Sequence, residues 1–283
     1  MGAEAGDNTI SAALDCAMAA GAEVRGTTSP NPPVGAVIVS AAGEVAGVGA
    51  TQPVGGAHAE VMALRAAGEK ARGGTAVVTL EPCAHTGRTG PCTQALIDAG
   101  VACVYYLHPD PTSQAAGGAR ALAEAGVDVI KLEKPPQVED ALMPWLWAMR
   151  TRRPHITLKF AQSLDGFTAA ADGTSQWITG ESARDWVHAD RARRDAIVVG
   201  TGTALADNPS LTARFRNGSL REHQPHRVVI GKRDLKSAGD AASNLRKLGY
   251  EQYDSIDEAL YELYASGARD VLVEGGAGLA SSF

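Results

Sequence analysis

An imidazole, a carboxylate and two thiols lie within one short stretch of this chain. His58 and Glu60 form an H-x-E unit, Cys83 lies 25 residues after His58, and Cys92 lies nine residues after Cys83. Imidazole nitrogen and thiolate sulphur are ligands that zinc prefers, and a site with three protein ligands keeps a fourth position for water. The spacing therefore predicts a catalytic zinc held by His58, Cys83 and Cys92.

Glu60 has the chemistry of a proton carrier at such a metal. It lies two residues from His58, close enough to serve a metal-bound water without binding the metal itself. In zinc deaminases of nucleobases, hydroxide on the metal attacks the ring carbon that bears the amine, and a glutamate moves the protons. The pattern favours a hydrolytic deaminase, although the second thiol stands at a C-x8-C spacing rather than the C-x-x-C of that signature.

Two other interpretations of these residues remain open. His85 could be a fourth ligand, which would close the coordination sphere into a structural site and leave Glu60 without a role. Alternatively, Cys83 and Cys92 are buried core residues, and His58 is a surface side chain that never meets them. The order in which H-x-E, T-L-E-P-C and a second P-C occur favours the catalytic zinc.

Length and composition argue against several classes of protein. A chain of 283 residues is long enough for two domains. Its formal net charge of −6 argues against bulk nucleic-acid binding, which needs a basic face. No apolar run approaches the ~18 residues of a membrane helix, and acidic residues stand where a signal peptide carries basic ones. Four cysteines do not suit a disulfide framework in a chain of this length. We predict a cytoplasmic protein without a nucleic-acid or membrane partner.

The elements of the first half must bring the ligands together. Periodicity and turn residues predict a helix over 8–22, capped by Asn8 or Thr9, and a hairpin of strands 34–39 and 44–49 that turns at Gly43. The other predicted elements are helices over 58–69, 93–99 and 117–125 and strands over 75–80, 101–107 and 127–132. This alternation predicts a mostly parallel, three-layer α/β sheet. Asn31, just before the hairpin, is either a turn residue or an amide aimed at a pyrimidine ring.

The composition changes near residue 150, where we place the domain boundary. A predicted helix over 138–150 carries Trp145 and Trp147, which we interpret as packing between the domains, with stacking on a substrate as the alternative. The second half is predicted to contain strands over 155–162, 195–200, 225–230 and 271–273 and a helix over 182–193. The last strand leads into the glycine-rich stretch 274–279. That stretch is either a tight turn or a loop whose backbone N–H groups approach a phosphate.

With both halves considered, the chain closely resembles the bifunctional deaminase/reductase family of bacterial riboflavin biosynthesis. The resemblance covers nearly the whole chain and rests on the motifs Asn31-Pro32, His58-Ala59-Glu60, Thr79-Leu80-Glu81-Pro82-Cys83, Gly87-Arg88-Thr89, Pro91-Cys92, Asp110-Pro111, Ser163-Leu164-Asp165-Gly166, Ser175-Gln176-Trp177-Ile178-Thr179, Leu205-Ala206-Asp207-Asn208-Pro209 and Glu274-Gly275-Gly276. It implies an α/β protein with a three-layer, cytidine-deaminase-like N-terminal domain over residues 1–150 and a dihydrofolate-reductase-like C-terminal domain over residues 151–283.

The resemblance also implies two successive reactions. The first domain would use one Zn²⁺ to deaminate 2,5-diamino-6-ribosylamino-4(3H)-pyrimidinone 5′-phosphate, and the second would use NADPH to reduce the ribosyl unit to ribityl. Members of the family form homodimers or homotetramers. They also continue for several elements beyond the position of Phe283, so we expect further residues of the reductase domain to follow it, because a sheet without its last strands would expose an edge.

Residue roles follow from the same resemblance. His58, Cys83 and Cys92 would bind zinc, Glu60 would shuttle protons, and Asn31, Arg88 and Asp110 would line the pyrimidine site. In the reductase half the substrate-contacting positions are Ser175, Arg191, Leu211, Arg214 and Glu274, and the NADPH-contacting positions are Ala161, Trp177, Thr203, Asp207, Gly276, Ala277, Gly278, Leu279, Ala280, Ser281 and Ser282. Arg191 and Arg214 suit a phosphate, because guanidinium pairs bidentately with phosphate oxygens, unless they are ordinary surface arginines. Lys232 and Arg233 are candidates for the 2′-phosphate of NADPH.

Three stretches depart from the family pattern. Thr51-Gln52 stands where His-Gln is frequent, Thr112-Ser113 stands where Asn-Pro is usual, and the stretch 232–244 is short and lacks an Asp-Ser pair. Two rival functions remain open, a cytidine- or tRNA-type deaminase with an unrelated second domain and a zinc-stapled binding protein without turnover. The motifs of the second half oppose the first rival, and Glu60 beside an open metal position opposes the second.

Overall fold

The protein is described by a computed structural model, which covers residues 2–85, 90–113, 115–133 and 140–283, with the backbone alone described for residues 2–7 and 277. The chain divides into two units, residues 1–150 and residues 151–283. In the part of the chain that the structure describes, no helix combines the length and apolar character that crossing a bilayer requires.

The first unit is built on a five-stranded sheet. Its elements are α1 (Gly2–Glu23), β1 (Gly35–Val39), β2 (Val45–Ala50), α2 (Ala59–Ala67), β3 (Thr75–Leu80), α3 (Cys92–Asp98), β4 (Cys103–His108), α4 (Gly118–Glu124), β5 (Asp128–Lys131) and α5 (Met143–Thr151). A short 3₁₀ turn over Gly68–Ala71 follows α2. The strand order is β2-β1-β3-β4-β5.

The sheet of this unit is mixed, and all of its strands except β1 run in the same direction, which agrees with the prediction of a mostly parallel sheet. β1 runs antiparallel to β2 and to β3, whereas β3, β4 and β5 are mutually parallel. The predicted turn at Gly43, which has a φ of +83°, reverses the chain between β1 and β2. The crossover through α2 then makes β3 parallel to β2, so β1 between them must oppose both.

Helices cover both faces of this sheet, as the three-layer prediction requires. On one face Val37, Val39 and Val77 pack against Leu14 and Met18 of α1. The alternate residues of the same strands, together with residues of α2 to α5, form the larger core on the other face, which contains Ala36, Ile38, Ala76, Val78, Val104, Ala59, Ala63, Leu96, Leu122 and Leu146. Side chains alternate across a strand, so each face receives every second residue.

The first helix is longer than the sequence pattern predicts. It begins at Gly2, so Asn8 and Thr9 lie inside it and do not cap it. The preceding residues include Ala3, Glu4 and Ala5, and alanine and glutamate are strong helix formers.

The second unit carries a sheet whose neighbouring strands are all parallel. Its elements are β6 (His155–Leu158), α6 (Glu181–Arg191), β7 (Ala196–Gly200), α7 (Thr201–Asp207), β8 (His226–Ile230), α8 (Ser243–Leu248), β9 (Glu251–Tyr253), α9 (Ile256–Ala265), β10 (Asp270–Val273) and α10 (Ala277–Ala280), with a 3₁₀ turn over Gly239–Ala242. The strand order is β6-β10-β7-β8-β9. Two apolar clusters cover its two faces, one around Val198, Val228 and Leu263 and one around Val199, Val229 and Leu245.

Several element boundaries in this unit differ from the sequence expectation. The strand predicted over 155–162 ends at Leu158, which frees the following residues from the sheet. A helix not predicted from the sequence, α7, begins directly after Gly200. The helices α8 and α9 and the strand β9 were not predicted from the sequence.

In each unit, the strand topology brings several connecting segments to one edge of the sheet. In the first unit, the segment before β1 and the segments after β2, β3 and β4 all lie at one edge, because β1 is antiparallel to the strands beside it. In the second unit, β6, β10 and β7 are parallel neighbours and end at the same edge. Ligand sites of open α/β sheets form outside the carboxyl ends of such strands.

Candidate active sites

The three predicted metal ligands converge at the loop edge of the first sheet. His58 is the residue just before α2, Cys83 follows β3, and Cys92 is the first residue of α3. The His58 Nδ1 atom lies 3.2 Å from Cys92 Sγ and 3.6 Å from Cys83 Sγ. All three ligand atoms lie within 4.8 Å of one another. Within the described ranges this group does not include His85, whose side chain is exposed, so the arrangement opposes the closed four-ligand alternative.

The protonation behaviour of these side chains fits a cation. A hydrogen bond from the Cys92 side chain, together with one from His58, lowers the pKa of the Cys83 thiol to about 4. The same hydrogen bond to Cys83, with burial, raises the pKa of Cys92. The lowered pKa of Cys83 suits a metal ligand, because zinc binds cysteine as thiolate, and a divalent cation would displace the proton of Cys92 as well. One imidazole and two thiolates at these separations suit a zinc ion.

Glu60 lies in the first turn of α2 with its side chain turned into the site. It is only 4 % exposed and lines the adjoining cavity. Burial raises the pKa of Glu60 to about 7. A cation among the neighbouring ligands would oppose this increase through its positive charge. A carboxyl group with a pKa near the working pH can both accept and return a proton, which is what a proton shuttle needs.

A cavity of about 350 Å³ lies beside the ligand cluster. This volume falls within the range of small-molecule sites. Its lining residues are Pro30, Asn31, Pro32, Val34, Thr51, Gly55, Gly56, His58, Glu60, Leu80, Glu81, Cys83, His85, Asp110, Thr112, Ala115 and Trp145. Asn31 and Asp110, both expected at the pyrimidine site, therefore lie on it. Arg88 lies outside the described residues.

Trp145 lines this cavity. Its indole Nε1 donates a hydrogen bond to the carbonyl oxygen of Pro30 at 3.0 Å, and the side chain is part of the first unit's core. Its packing within the first unit is thus established, and the interpretation of Trp145 as packing between the domains stays a prediction. Its hydrogen bond holds the segment that carries Asn31. Trp147, on the same helix, is 52 % exposed.

The two threonine departures from the family pattern each hold a loop of the cavity. Thr51 is 3 % exposed, and its Oγ1 accepts a hydrogen bond from the Val34 amide at 3.2 Å. The Thr112 amide and hydroxyl both donate to Asp110 Oδ1, at 2.8 and 2.6 Å. Thr112 therefore fixes the carboxylate of Asp110, which the family resemblance assigns to the substrate.

The second unit has its own pocket at the carboxyl ends of β6, β10 and β7. The pocket has a volume of about 820 Å³. All five predicted substrate positions line it, namely Ser175, Arg191, Leu211, Arg214 and Glu274. Among the predicted cofactor positions, those on the pocket are Ala161, Trp177, Thr203, Asp207, Gly276 and Ala280, whereas Gly278, Leu279, Ser281 and Ser282 are not among its lining residues, and the side chain of Ala277 lies outside the described part of the chain.

The glycine-rich loop packs closely against the helix that follows it. A Cβ added to Gly275 would lie 2.8 Å from Leu279 Cδ2, so a larger residue would displace that side chain. Leu279 packs on one of the unit's apolar clusters, which explains why it is not on the pocket wall. The loop thus brings Gly275 and Gly276 to the pocket while Leu279 anchors it.

An ion pair occupies the centre of this pocket. The Arg191 guanidinium donates from Nε to Glu274 Oε1 at 2.7 Å and from Nη2 to Oε2 at 2.8 Å, and its Nη1 donates to the Thr212 carbonyl at 3.0 Å. The Lys159 ammonium lies 3.6 Å from Glu274 Oε2. Three of the five N–H groups of Arg191 are therefore used, which limits the role of phosphate holder that its sequence position indicated. Arg214, by contrast, is exposed on the pocket.

Burial and the charges around this pair shift the pKa values of two titratable groups, Glu274 and His188. Burial by itself would raise the pKa of Glu274, but the hydrogen bonds and charge of Arg191, with Lys159, lower it below its usual value. His188, which the sequence analysis missed, also lines the pocket and donates from Nδ1 to the Thr212 carbonyl at 3.0 Å. Burial and then Arg191 lower the pKa of His188. Arg191 and His188 thus fix the backbone next to Leu211, whose φ of 49° is left-handed.

Comparison with known proteins agrees with both sites. A family model described as the cytidine and deoxycytidylate deaminase zinc-binding region matches residues 7–108, and the RibD C-terminal domain model matches residues 154–283. The riboflavin biosynthesis protein RibD of Corynebacterium ammoniagenes is 70 % identical over 274 residues, which cover 97 % of this chain and 81 % of that protein. The chain belongs to the RibD family. RibD of Mycobacterium tuberculosis strain H37Rv is 48 % identical over 276 residues, with 97 % and 81 % covered.

Solved RibD structures share the fold over nearly the whole chain. A Thermotoga maritima diaminohydroxyphosphoribosylaminopyrimidine deaminase/5-amino-6-(5-phosphoribosylamino)uracil reductase matches with a TM-score of 0.87 and 32 % identity, covering 98 % of this chain and 83 % of that one. Acinetobacter baumannii RibD, form 1, matches with a TM-score of 0.81 and 35 % identity, covering 98 % and 83 %. The predicted α/β fold with a cytidine-deaminase-like first domain is confirmed, the second domain is of the RibD C-terminal type, and the suspected family is confirmed.

Proposed function

We propose that this chain catalyses two successive steps of riboflavin biosynthesis, with the deaminase in residues 1–150 and the reductase in residues 151–283. The first step would convert the 2-amino group of 2,5-diamino-6-ribosylamino-4(3H)-pyrimidinone 5′-phosphate to a carbonyl with release of ammonia, and the second would reduce the ribosyl unit to ribityl. The observation that carries the deaminase is the convergence of His58, Cys83 and Cys92 beside buried Glu60. The matched families support both halves.

In the deaminase, His58, Cys83 and Cys92 would hold one zinc ion. Zinc, when bound there, supplies a water whose pKa is lowered toward neutrality. Glu60 accepts the proton of the attacking water and returns it to the leaving amine, so one carboxyl group acts first as base and then as acid. Asn31 and Asp110, which line the cavity, orient the pyrimidine ring, and Arg88 completes the contacts to the substrate.

In the reductase, the protein orients two molecules and carries little of the chemistry itself. NADPH, when bound, supplies the hydride for C1′ of the sugar. Ser175, Leu211, Arg214 and Glu274 hold the substrate, and Arg191 keeps the carboxylate of Glu274 ionised and oriented. Trp177, Thr203, Asp207, Ala161 and the loop 276–282 hold NADPH. Lys232 and Arg233 serve the 2′-phosphate, since both are exposed just beyond β8.

The test combines zinc analysis with assays of both reactions on the same preparation. We expect one zinc per chain, ammonia release from the diaminopyrimidine phosphate and no release from cytidine or adenosine. The variant Glu60→Gln keeps the size of the side chain but loses its basicity, so we expect it to retain zinc and lose deamination by about 10²–10⁴-fold. Near-normal turnover of the zinc-loaded variant would remove Glu60 from the mechanism, and ammonia from cytidine would favour the rival deaminase.

The assembly and the surroundings of the enzyme are part of the same proposal. We expect a homodimer or homotetramer in the cytoplasm that acts on a small phosphoribosyl-pyrimidine and needs neither nucleic acid nor a membrane. The formal net charge of −6 supports the absence of a nucleic-acid partner. Light scattering of the purified chain measures its mass in solution, and a monomeric mass would contradict the expected oligomer.

A further inference from the structure

Glu81 lines the substrate cavity of the first unit, two residues before the metal ligand Cys83. It directly follows β3, precedes Pro82 and Cys83, and is 8 % exposed on the cavity wall. Its Oε2 accepts a hydrogen bond from the Asp110 amide at 3.2 Å, and its Oε1 accepts one from the Ala119 amide in the first turn of α4 at 2.9 Å. One carboxylate therefore joins the segment of a metal ligand to the segment of a substrate residue.

Two further contacts connect the same pair of segments. The Ala84 amide donates a hydrogen bond to the Ala115 carbonyl at 3.4 Å. Gly118, at the start of α4, approaches the ligand segment so closely that an added Cβ would lie 1.7 Å from the Pro82 carbonyl oxygen. The start of α4 and the ligand segment are thus in backbone contact, and the Glu81 side chain extends this contact to Asp110.

The chemistry of Glu81 suits this connection better than a neutral side chain would. A buried carboxylate is costly unless its oxygens are hydrogen-bonded, and both oxygens of Glu81 receive a backbone N–H group. The two donors meet different oxygens of the carboxylate, and an amide in the same orientation would present its NH₂ group to one of them. Burial raises the pKa of Asp110, and the charge of Glu81 adds to the increase, which agrees with their proximity.

We propose that Glu81 is a positioning residue of the deaminase, which sets the separation of Cys83 and Asp110 and thereby the ring substituent that is presented to the metal. This inference rests on the proposed function, because it takes Asp110 as a substrate contact. The hydrogen-bond partners of the Glu81 carboxylate are the backbone amides of Asp110 and Ala119. It acts through the placement of Asp110, and a misplacement of about 1 Å in an active site can cost about 10²-fold in rate.

The primary test is the variant Glu81→Gln in the full chain. Glutamine keeps the size of the side chain, but its NH₂ group would face a backbone N–H donor, so one of the two bonds is lost. We expect zinc content to remain at one per chain, the KM for the pyrimidine substrate to rise and deaminase kcat/KM to fall by about 10- to 100-fold. Reductase activity of the same protein should be unchanged and serves as an internal control for folding.

A control variant removes another buried carboxylate that binds two backbone amides, Asp195 of the second unit. Asp195 is 6 % exposed in the second unit, and its Oδ2 accepts hydrogen bonds from the Arg269 and Asp270 amides at 2.7 and 2.9 Å. We expect Asp195→Asn to lower the melting temperature without changing the deaminase KM. The pair of variants separates loss of a buried carboxylate in general from loss of the one that holds Asp110.

A double-mutant cycle with Asp110→Asn decides whether Glu81 acts through Asp110. If it does, Glu81→Gln adds little to the loss already caused by Asp110→Asn, because coupled residues are non-additive. Multiplicative losses would overturn the proposal, as would loss of zinc in Glu81→Gln, unchanged kinetics, or an Asp110→Asn variant that behaves like the wild type. A wild-type protein that releases no ammonia from the pyrimidine would instead refute the proposed function, so the two failures are distinguishable.

Discussion

The zinc centre and the reductase pocket both lie at the carboxyl ends of parallel strands, yet they are built differently. The zinc centre consists of three ligand atoms within 4.8 Å of one another, all contributed between His58 and Cys92. The reductase pocket is lined by residues between Lys159 and Ala280, and the two partners of its central ion pair, Arg191 and Glu274, are 83 positions apart.

The difference concerns how much one residue can matter. A metal with three protein ligands depends on every one of them, and the reaction at it depends on a single nearby carboxyl group. A large pocket divides the binding of substrate and cofactor among many side chains, so each contributes a part of the total. We therefore expect all-or-none losses at the zinc centre and graded losses in the reductase pocket.

Removal of zinc should have the largest effect, and this effect should be confined to the deaminase. Dialysis of the whole enzyme against a chelator is expected to abolish ammonia release and to leave the reductase unchanged when it is assayed on the deaminated substrate. Added Zn²⁺ should restore deamination and Mg²⁺ should not, because a histidine and two thiolates are poor ligands for a hard cation. Metal content, ammonia release and reductase activity are measured on the same samples, so that the two sites can be compared directly. An equal fall in reductase activity would show that the second site depends on the metal.

A smaller, graded effect is expected from the central ion pair of the reductase. Arg191→Lys keeps the charge but cannot make two parallel bonds to Glu274. Loss of one charge-assisted hydrogen bond, worth about 1.5–3 kcal/mol, predicts a fall in reductase kcat/KM of about 10- to 100-fold with no change in the deaminase.

Arg194→Lys is the matched control for this variant. Arg194 is 5 % exposed and binds Asp190 and Asp270 before the start of β7, away from the strand ends that form the pocket. We expect this control to lower the melting temperature and to spare the reductase KM. If both variants change KM equally, the effect is general destabilisation of the unit and not loss of the Glu274 contact.

The same contrast explains what the sequence could predict. His58, Glu60, Cys83 and Cys92 could be identified because zinc restricts ligand types and spacing to a few patterns. The position of β1 between β2 and β3 could not, since alternating strands and helices do not specify which strand lies between two others.

Long-range hydrogen bonds were equally invisible in the sequence. The sequence shows Glu81 only as part of the T-L-E-P-C motif. Its hydrogen bonds could not be predicted, because its partners Asp110 and Ala119 lie 29 and 38 residues away. For the same reason Arg191 was expected to hold phosphate, and its pairing with Glu274 emerged only from the structure. The reductase residues that line the pocket could be predicted only from the family resemblance, because their spacing in the sequence does not indicate a common site.

The smallest expected effect concerns cofactor choice in the reductase pocket. Arg233 is exposed beyond β8, and its Nη1 lies 4.0 Å from the position that a Cβ on Gly202 would take, near the first turn of α7. If Arg233 contacts the 2′-phosphate, Arg233→Ala removes one exposed charge pair worth about 0.2–1 kcal/mol, which predicts a rise of up to about fivefold in the NADPH dissociation constant.

Fluorescence titration with both cofactors measures this directly, and binding of NADH should be unchanged because it lacks the phosphate. Lys236→Ala is the control, since it removes a charge from the same loop three residues further on. Equal weakening by both substitutions would mean that the phosphate senses the overall field of the loop and not one guanidinium. Equal weakening of NADPH and NADH by Arg233→Ala would exclude the 2′-phosphate as its partner.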